Sequence, residues 1–337
     1  MNQLKTSTGK TEGLTKDPAL MESAVIKSPG NIHLEKYVIP PPLENQLILQ
    51  MEGCGICASS LPVWQGREWF SYPLNPGEPG HEGWGTVVEA GKKITHFRPG
   101  DRVATLSTRA LSTHVLTDAE NVIKLPPFLL GKHFPGEPLG CTMNVFKRSR
   151  IKKGDTVAVV GAGFLGLMLI QLAKAQGAGV IAVSRRRFSL DMATAYGADG
   201  VILMDDQTAI IDQVNMMTEK RLCDCVIEVT GKEWPLNLAI ELTKTRGRLI
   251  VAGFHQDGMR RINMQLLNWR GIDMINAHER EQHVYIQGIN EAIQAISENR
   301  LNPFPLFTHS YDRYHLTEAF HDLEGRPDGF VKGIVTF

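Results

Sequence analysis

The sequence predicts an α/β fold in which a doubly wound parallel sheet is joined to a second, mainly β domain. Three observations predict it. From Thr156 onward short apolar strands alternate with stretches of helical spacing, whereas before Pro127 the apolar runs are short, β-type and divided by Gly and Pro. A glycine-rich turn, Gly161-Ala162-Gly163-Phe164-Leu165-Gly166, joins the first alternating strand to its first helix.

The chain has 337 residues, 42% of them hydrophobic and 21% charged, enough to bury a large core and to divide into two domains. Lys and Arg balance Asp and Glu at 36 each, so no long-range field favours nucleic acid or an anionic membrane over a small neutral substrate. Every apolar run is shorter than the ~20 residues of a membrane helix. Residues 1–20 are polar, without apolar periodicity or the features of a signal peptide, and read as a flexible leader on a cytoplasmic protein. Five scattered cysteines suit free thiols or metal ligands in a reducing compartment, not a disulfide framework.

In chain order, residues 21–148 carry β-type runs such as 46–50 and 85–89. Residues 149–277 form the alternating part. A strand at Thr156–Val160 is followed by a helix on which Leu165, Met168, Leu169 and Leu172 recur at helical spacing. Further strands are expected near 180–183, 201–203, 225–229 and 249–252, and further helices near 190–196, 210–217 and 236–242. Residues 278–337 are mixed again, with one clear helix at 285–298 and a final apolar stretch at 333–337.

A Gly-x-Gly-x-x-Gly turn between a strand and a helix is the fingerprint of a Rossmann dinucleotide site. Gly161 allows the tight turn, Gly163 lets the backbone approach a pyrophosphate, and Gly166 lets helix and strand pack closely, with the helix N-terminus at Phe164 and Leu165 facing the phosphates. Thr230 and Gly253, which follow later strands, are counted with this site. An acid at the end of the second strand would hold the ribose hydroxyls and repel a 2′-phosphate. Here Ser184-Arg185-Arg186-Arg187 stands instead, a hydroxyl followed by guanidinium forks suited to a phosphate, so NADPH is expected over NADH. Arg185 and Arg186 are the expected contacts, and Arg187 reads as the solvated start of a helix.

Cys57 lies 24 residues before the pair His81-Glu82, and Glu137 and Cys141 precede the dinucleotide strand. Zinc accepts all these ligand types. Taken singly, each has a duller explanation in the core, and Cys54 reads as a small buried hydrophobe. Taken together with Gly53-Cys-Gly-Ile-Cys57, Gly80-His-Glu-Gly83, Gly100-Asp-Arg-Val103, Glu137-Pro-Leu139 and the glycine turn, in that order, the chain resembles the medium-chain dehydrogenase/reductase superfamily. It is similar to the zinc-dependent alcohol dehydrogenases, on the sorbitol and threonine dehydrogenase side, over roughly residues 22–337.

The resemblance implies a GroES-like catalytic domain completed by the C-terminal segment. It also implies one catalytic zinc held by Cys57, His81 and Glu137, with Glu82 either a ligand or just behind the metal and Cys141 the substitute for Glu137. Ser59 takes the place of the residue that passes a proton to the substrate oxygen. The histidine that ends the relay in some members falls at Pro62, and the four-cysteine lobe that holds a structural zinc in many members is absent from residues 104–115. An alcohol or carbonyl substrate and a homodimer or homotetramer are expected. Trp64, Trp69, Phe70 and Trp84 are candidate pocket residues. Two other readings compete: a zinc-free NADPH reductase of the quinone or enoyl type, and a non-catalytic NADPH-binding protein of the same fold.

Overall fold

The computed structural model describes residues 20–256 and 258–337; the expected leader lies outside them except for Leu20, which opens the first strand. Strands β1 (Leu20–Ser28) and β2 (Asn31–Val38) form an antiparallel hairpin. After it come β3 (Gln46–Gly55), the short helix α1 (Leu61–Trp64), β4 (Gly83–Ala90), β5 (Arg102–Thr105), β6 (His114–Asp118) and β7 (Val122–Lys124). A first long helix, α2 (Gly136–Ser149), then leads into the alternating part.

There the order is β8 (Thr156–Val160), α3 (Phe164–Ala175), β9 (Gly179–Ser184), α4 (Arg187–Ala195), β10 (Gly200–Leu203), α5 (Gln207–Met217), β11 (Cys223–Glu228), α6 (Glu233–Leu242), β12 (Thr243–Val251), α7 (Met264–Trp269) and β13 (Asp273–Asn276). The six strands are parallel and run in the order β10-β9-β8-β11-β12-β13, the doubly wound Rossmann arrangement. Residues of β8 alternate between two cores: Val157 and Val159 join one cluster, Ala158 and Val160 the other, all fully buried. Helices cover both faces, which is why these strands read as continuous apolar runs. Burial of each valine contributes about 1.5–3 kcal/mol.

The chain closes with α8 (Gln282–Ser297), β14 (Phe307–Asp312), α9 (Leu316–Gly325) and β15 (Lys332–Thr336). Strands β14 and β15 return to the first half and complete a seven-stranded sheet, β14-β15-β3-β4-β5-β7 with β6 also on β3. The antiparallel register sets Ile334 opposite Gly55 and Val335 opposite Cys54. One core cluster joins Trp84 and Ala104 of this sheet to Val157 and Leu167 of the parallel part, so the two halves share packing. No described helix is long and apolar enough to cross a membrane.

Candidate active site

The turn after β3 begins the site. Cys57 precedes a short 3-10 turn, Ala58–Ser60, that folds the Ser59 hydroxyl back toward the cysteine, where it donates to Cys57 Sγ at 3.1 Å. The same hydroxyl lies 3.4 Å from His81 Nε2. The other ring nitrogen of His81, Nδ1, is 2.8 Å from the Pro79 carbonyl, which can only accept. That bond orients the ring so that Nε2 faces the cysteine, the arrangement that aims an imidazole at a metal. Cys57, His81 and Glu82 place one ligand atom each within 4.8 Å of one another.

Glu82 is fully buried, and its partner is Lys332, also buried, whose ammonium stands 2.6 Å from the carboxylate. Lys332 approaches both oxygens, but only Oε1 receives a well-directed hydrogen bond, and buried Oε2 has no donor. A zinc ion with bonds of about 2.0–2.3 Å accepts the sulfur, nitrogen and oxygen donors assembled here, and an orphaned carboxylate oxygen suits the same tenant. The residues therefore fit a zinc ion.

Glu137 and Cys141 lie one turn apart on α2, and the thiol donates to Glu137 Oε1 at 3.2 Å. Burial pushes the Glu137 carboxyl up against the pull of His81, and burial beside Glu137 also raises the Cys141 thiol. For His81, burial opposes the charged form, yet the neighbouring Cys57 sulfur and the Glu137 and Glu82 carboxylates outweigh it and push the imidazole to about 10. Thus Glu137 acts on His81 but stands outside the group of three. Burial pushes the Cys54 thiol up, in keeping with its expected place in the core.

The glycine turn opens α3 as expected. Gly161 has φ of +112°, and a Cβ on Gly166 would stand 1.9 Å from the Gly161 carbonyl, so neither position takes a side chain. Around Gly163 the space is open, and no side chain caps the helix start, which leaves the first N–H groups at Phe164 and Leu165 free for a phosphate. Thr230 and Gly253 come together through a residue the sequence reading missed. Fully buried Glu228 accepts from Thr230 N at 2.6 Å and Gly231 N at 2.9 Å, while its backbone carbonyl accepts from Gly253 N at 2.8 Å. Ser184 is buried at the end of β9 and Arg185 is exposed beside it. Arg186 is already engaged, its Nη1 donating to the Phe330 carbonyl at 2.6 Å.

Lys332 is the second missed residue, and it joins the two sites. Its ammonium lies 5.2 Å from the centroid of the Phe164 ring, so one side chain touches both the glycine turn and the neighbour of His81. The only signal in the sequence was a lysine at the edge of the last apolar run. Of the aromatic candidates, Trp64 and Trp84 are 2% and 1% exposed and belong to the core, while Trp69 is open to solvent.

Fold and site together define a Rossmann half joined to a seven-stranded sheet that carries Cys57 just past the end of β3. A family model described as "Zinc-binding dehydrogenase" matches residues 165–296, and one described as "Alcohol dehydrogenase GroES-like domain" matches residues 43–140. Sorbitol dehydrogenase of Ovis aries is 29% identical over 341 residues, covering 88% of this chain and 92% of the relative. Among solved structures, a short chain alcohol dehydrogenase from E. coli CFT073 complexed with NADH aligns with a TM-score of 0.83 at 22% identity, covering 94% of this chain and 99% of that one. A zinc-binding dehydrogenase from Sinorhizobium meliloti 1021 bound to NADP aligns with a TM-score of 0.81 at 23% identity, over 95% and 100%. The chain belongs to the zinc-type, alcohol dehydrogenase-like members of the medium-chain dehydrogenase/reductase superfamily. It is an oxidoreductase of the polyol or alcohol dehydrogenase type.

Proposed function

We propose that the protein is a zinc-dependent alcohol dehydrogenase or carbonyl reductase that uses NADP(H) and one zinc ion per chain. The observation that carries this reading is the convergence of Cys57, His81 and Glu82 within 4.8 Å, with the Ser59 hydroxyl on two of them. Zinc supplies Lewis-acid polarisation of a substrate oxygen, and the nicotinamide supplies the hydride. Cys57 and His81 hold the metal, and an acidic group completes the set, with Glu82 the nearest donor and Glu137 next. Ser59 is the proton carrier for the substrate hydroxyl. With Pro62 beyond it, the outer path of that proton runs through water.

In this reading the dinucleotide is held by the backbone at Gly163–Leu165, its adenosine end by Ser184 and Arg185, and its nicotinamide end beside Thr230 and Gly253. Lys332 holds the Glu82 carboxylate in place through the ion pair between them. Its ammonium is raised above the ordinary lysine value because the Glu82 and Cys57 charges outweigh burial. We place the boundaries of the dinucleotide-binding domain at residues 149 and 277, with residues 21–148 and 278–337 forming the catalytic domain. The substrate class is a secondary alcohol, a polyol or the matching carbonyl compound.

Metal analysis and turnover test the proposal together. Gently purified protein with reduced thiols should carry one zinc per chain and oxidise NADPH with members of a carbonyl panel, and Cys57→Ala should lose both metal and turnover. Two zinc ions per chain, or turnover that survives full metal removal, would contradict it, the latter pointing to the zinc-free quinone or enoyl reductase.

A further inference from the structure

Residues 326–331 connect α9 to β15 and cross toward the end of β9, where the Phe330 carbonyl takes the Arg186 hydrogen bond. The loop starts at Arg326, which ends the helix with φ of +48°, the left-handed conformation common at helix C-termini. This crossing brings Arg326 into a cluster with Arg185 and Arg186. Each guanidinium is close enough to disfavour charge on a neighbour: Arg185 does so to Arg326, and both do so to Arg186. Protein walls desolvate Arg326 on its inner side, although much of the side chain stays open to solvent.

Three positive groups gather here, and the negative charges that act on them are Asp328 on Arg186 and the Cys57 sulfur on Arg326. Arg186 is tied to Phe330, whereas neither the Arg185 nor the Arg326 guanidinium has a hydrogen bond or ion pair among the described residues. Like charges gathered in a partly desolvated recess repel, and a dianion placed among them removes the repulsion. A phosphate monoester carries about −1.5 to −2 at neutral pH and presents oxygens that guanidinium forks bind bidentately. Ser184, at the end of β9, marks where the adenosine ribose would lie.

We propose that Arg326 is a specificity-determining residue that closes on the adenosine 2′-phosphate of NADP(H) from the side opposite Arg185, so that the phosphate is gripped between the end of β9 and the loop leading into β15. The inference rests on the NADP(H) reading above and adds to it a contact from the far end of the chain. It makes the 2′-phosphate a bridge between the dinucleotide-binding sheet and the sheet that carries Cys57. An NADH molecule would leave the three guanidinium groups facing one another.

The test uses cofactor fragments that lack the nicotinamide, so that metal and chemistry play no part. Titration calorimetry compares 2′,5′-ADP, 5′-AMP and 5′-ADP on wild type, Arg326→Ala, Arg326→Gly and Arg185→Ala. Arg326→Gly keeps the left-handed backbone relaxed and removes only the guanidinium, so a folding defect in the alanine variant would not obscure the result. Wild type should bind 2′,5′-ADP more tightly than 5′-AMP. Both Arg326 variants should weaken 2′,5′-ADP about tenfold and leave 5′-AMP within twofold. If wild type does not distinguish 2′,5′-ADP from 5′-AMP, the NADP(H) reading fails and this inference with it. If wild type distinguishes them and Arg326→Gly does so equally well, the inference alone fails. Equal weakening of 5′-ADP and 2′,5′-ADP would move Arg326 to the pyrophosphate and overturn the assignment.

Discussion

His81 is a cation held among anions. The Pro79 carbonyl fixes Nδ1–H, and the Cys57 sulfur with two carboxylates holds a second proton on the ring up to about pH 10. Because this value lies above the usual 6.5, the charged ring stabilises the metal-free fold fully below pH 6.5, and that stabilisation is lost as pH climbs through about 10. A metal needs the Nε2 lone pair, so loading must expel the proton. We therefore expect zinc binding to the metal-free protein at pH 7 to release at least one proton per chain, and zinc affinity to fall about tenfold per unit as pH is lowered. Calorimetry in two buffers of different ionisation enthalpy measures the first quantity directly. A heat that does not depend on the buffer would mean that His81 is no ligand. The other end of the site is fixed by the backbone: a Cβ at Gly55 would stand 1.9 Å from Glu82 Oε2, so the carboxylate fits only over a glycine.

At the scale of elements, the turn after β11 shows how one buried acid organises the backbone around it. Glu228 gathers the N–H groups of Thr230 and Gly231 and the imidazole of His255, 3.0 Å away, and so presses Thr230 against Gly161. Replacing a buried acceptor of several hydrogen bonds leaves donors unsatisfied at about 1–3 kcal/mol. Glu228→Gln should therefore lower stability by that amount and, since the proposed function sets this turn beside the part the two cofactors share, weaken NADPH and NADH alike while zinc content stays unchanged. Denaturant unfolding and cofactor titration would show it; an effect confined to NADPH would count against this account. The sequence pointed to Thr230 and Gly253 but not to Glu228, since an acid that closes an apolar strand looks like the start of a polar loop. Lys332 escaped for the same reason. Lys332 is buried against Glu82, 250 residues away, and Glu228 under the N–H groups of the turn that folds back over it, and neither arrangement leaves a pattern in the local sequence. Cys57, His81 and the glycine turn were legible because their residue types and spacing are themselves the chemistry.

For the molecule as a whole, the α/β architecture could be read from periodicity because β8, β9 and the run Cys225–Ile227 of β11 are buried and almost wholly apolar. What could not be read is the far edge of the parallel sheet. Strand β13 is four residues long, begins with Asp273 and ends with Asn276, and stays largely exposed, so it has neither alternation nor an apolar run. Its outer backbone groups have no strand partner among the described residues, and α7 just before it leaves Trp269 86% and Met264 58% exposed. An open strand edge beside large apolar side chains invites pairing with another chain, and a second copy that offers the same edge can pair with it about a twofold axis. We accordingly expect a homodimer joined along β13, within the homodimer or homotetramer foreseen from the sequence. Sedimentation velocity at micromolar concentration should give at least twice the 37.4 kDa chain mass, and Trp269→Ser combined with Met274→Lys should bring the mass down to that of one chain. These substitutions lie far along the chain from Cys57 and the glycine turn, so zinc content and cofactor binding should persist in the separated chains. A wild type that sediments as a single chain, or a double variant that stays associated, would remove β13 as the contact.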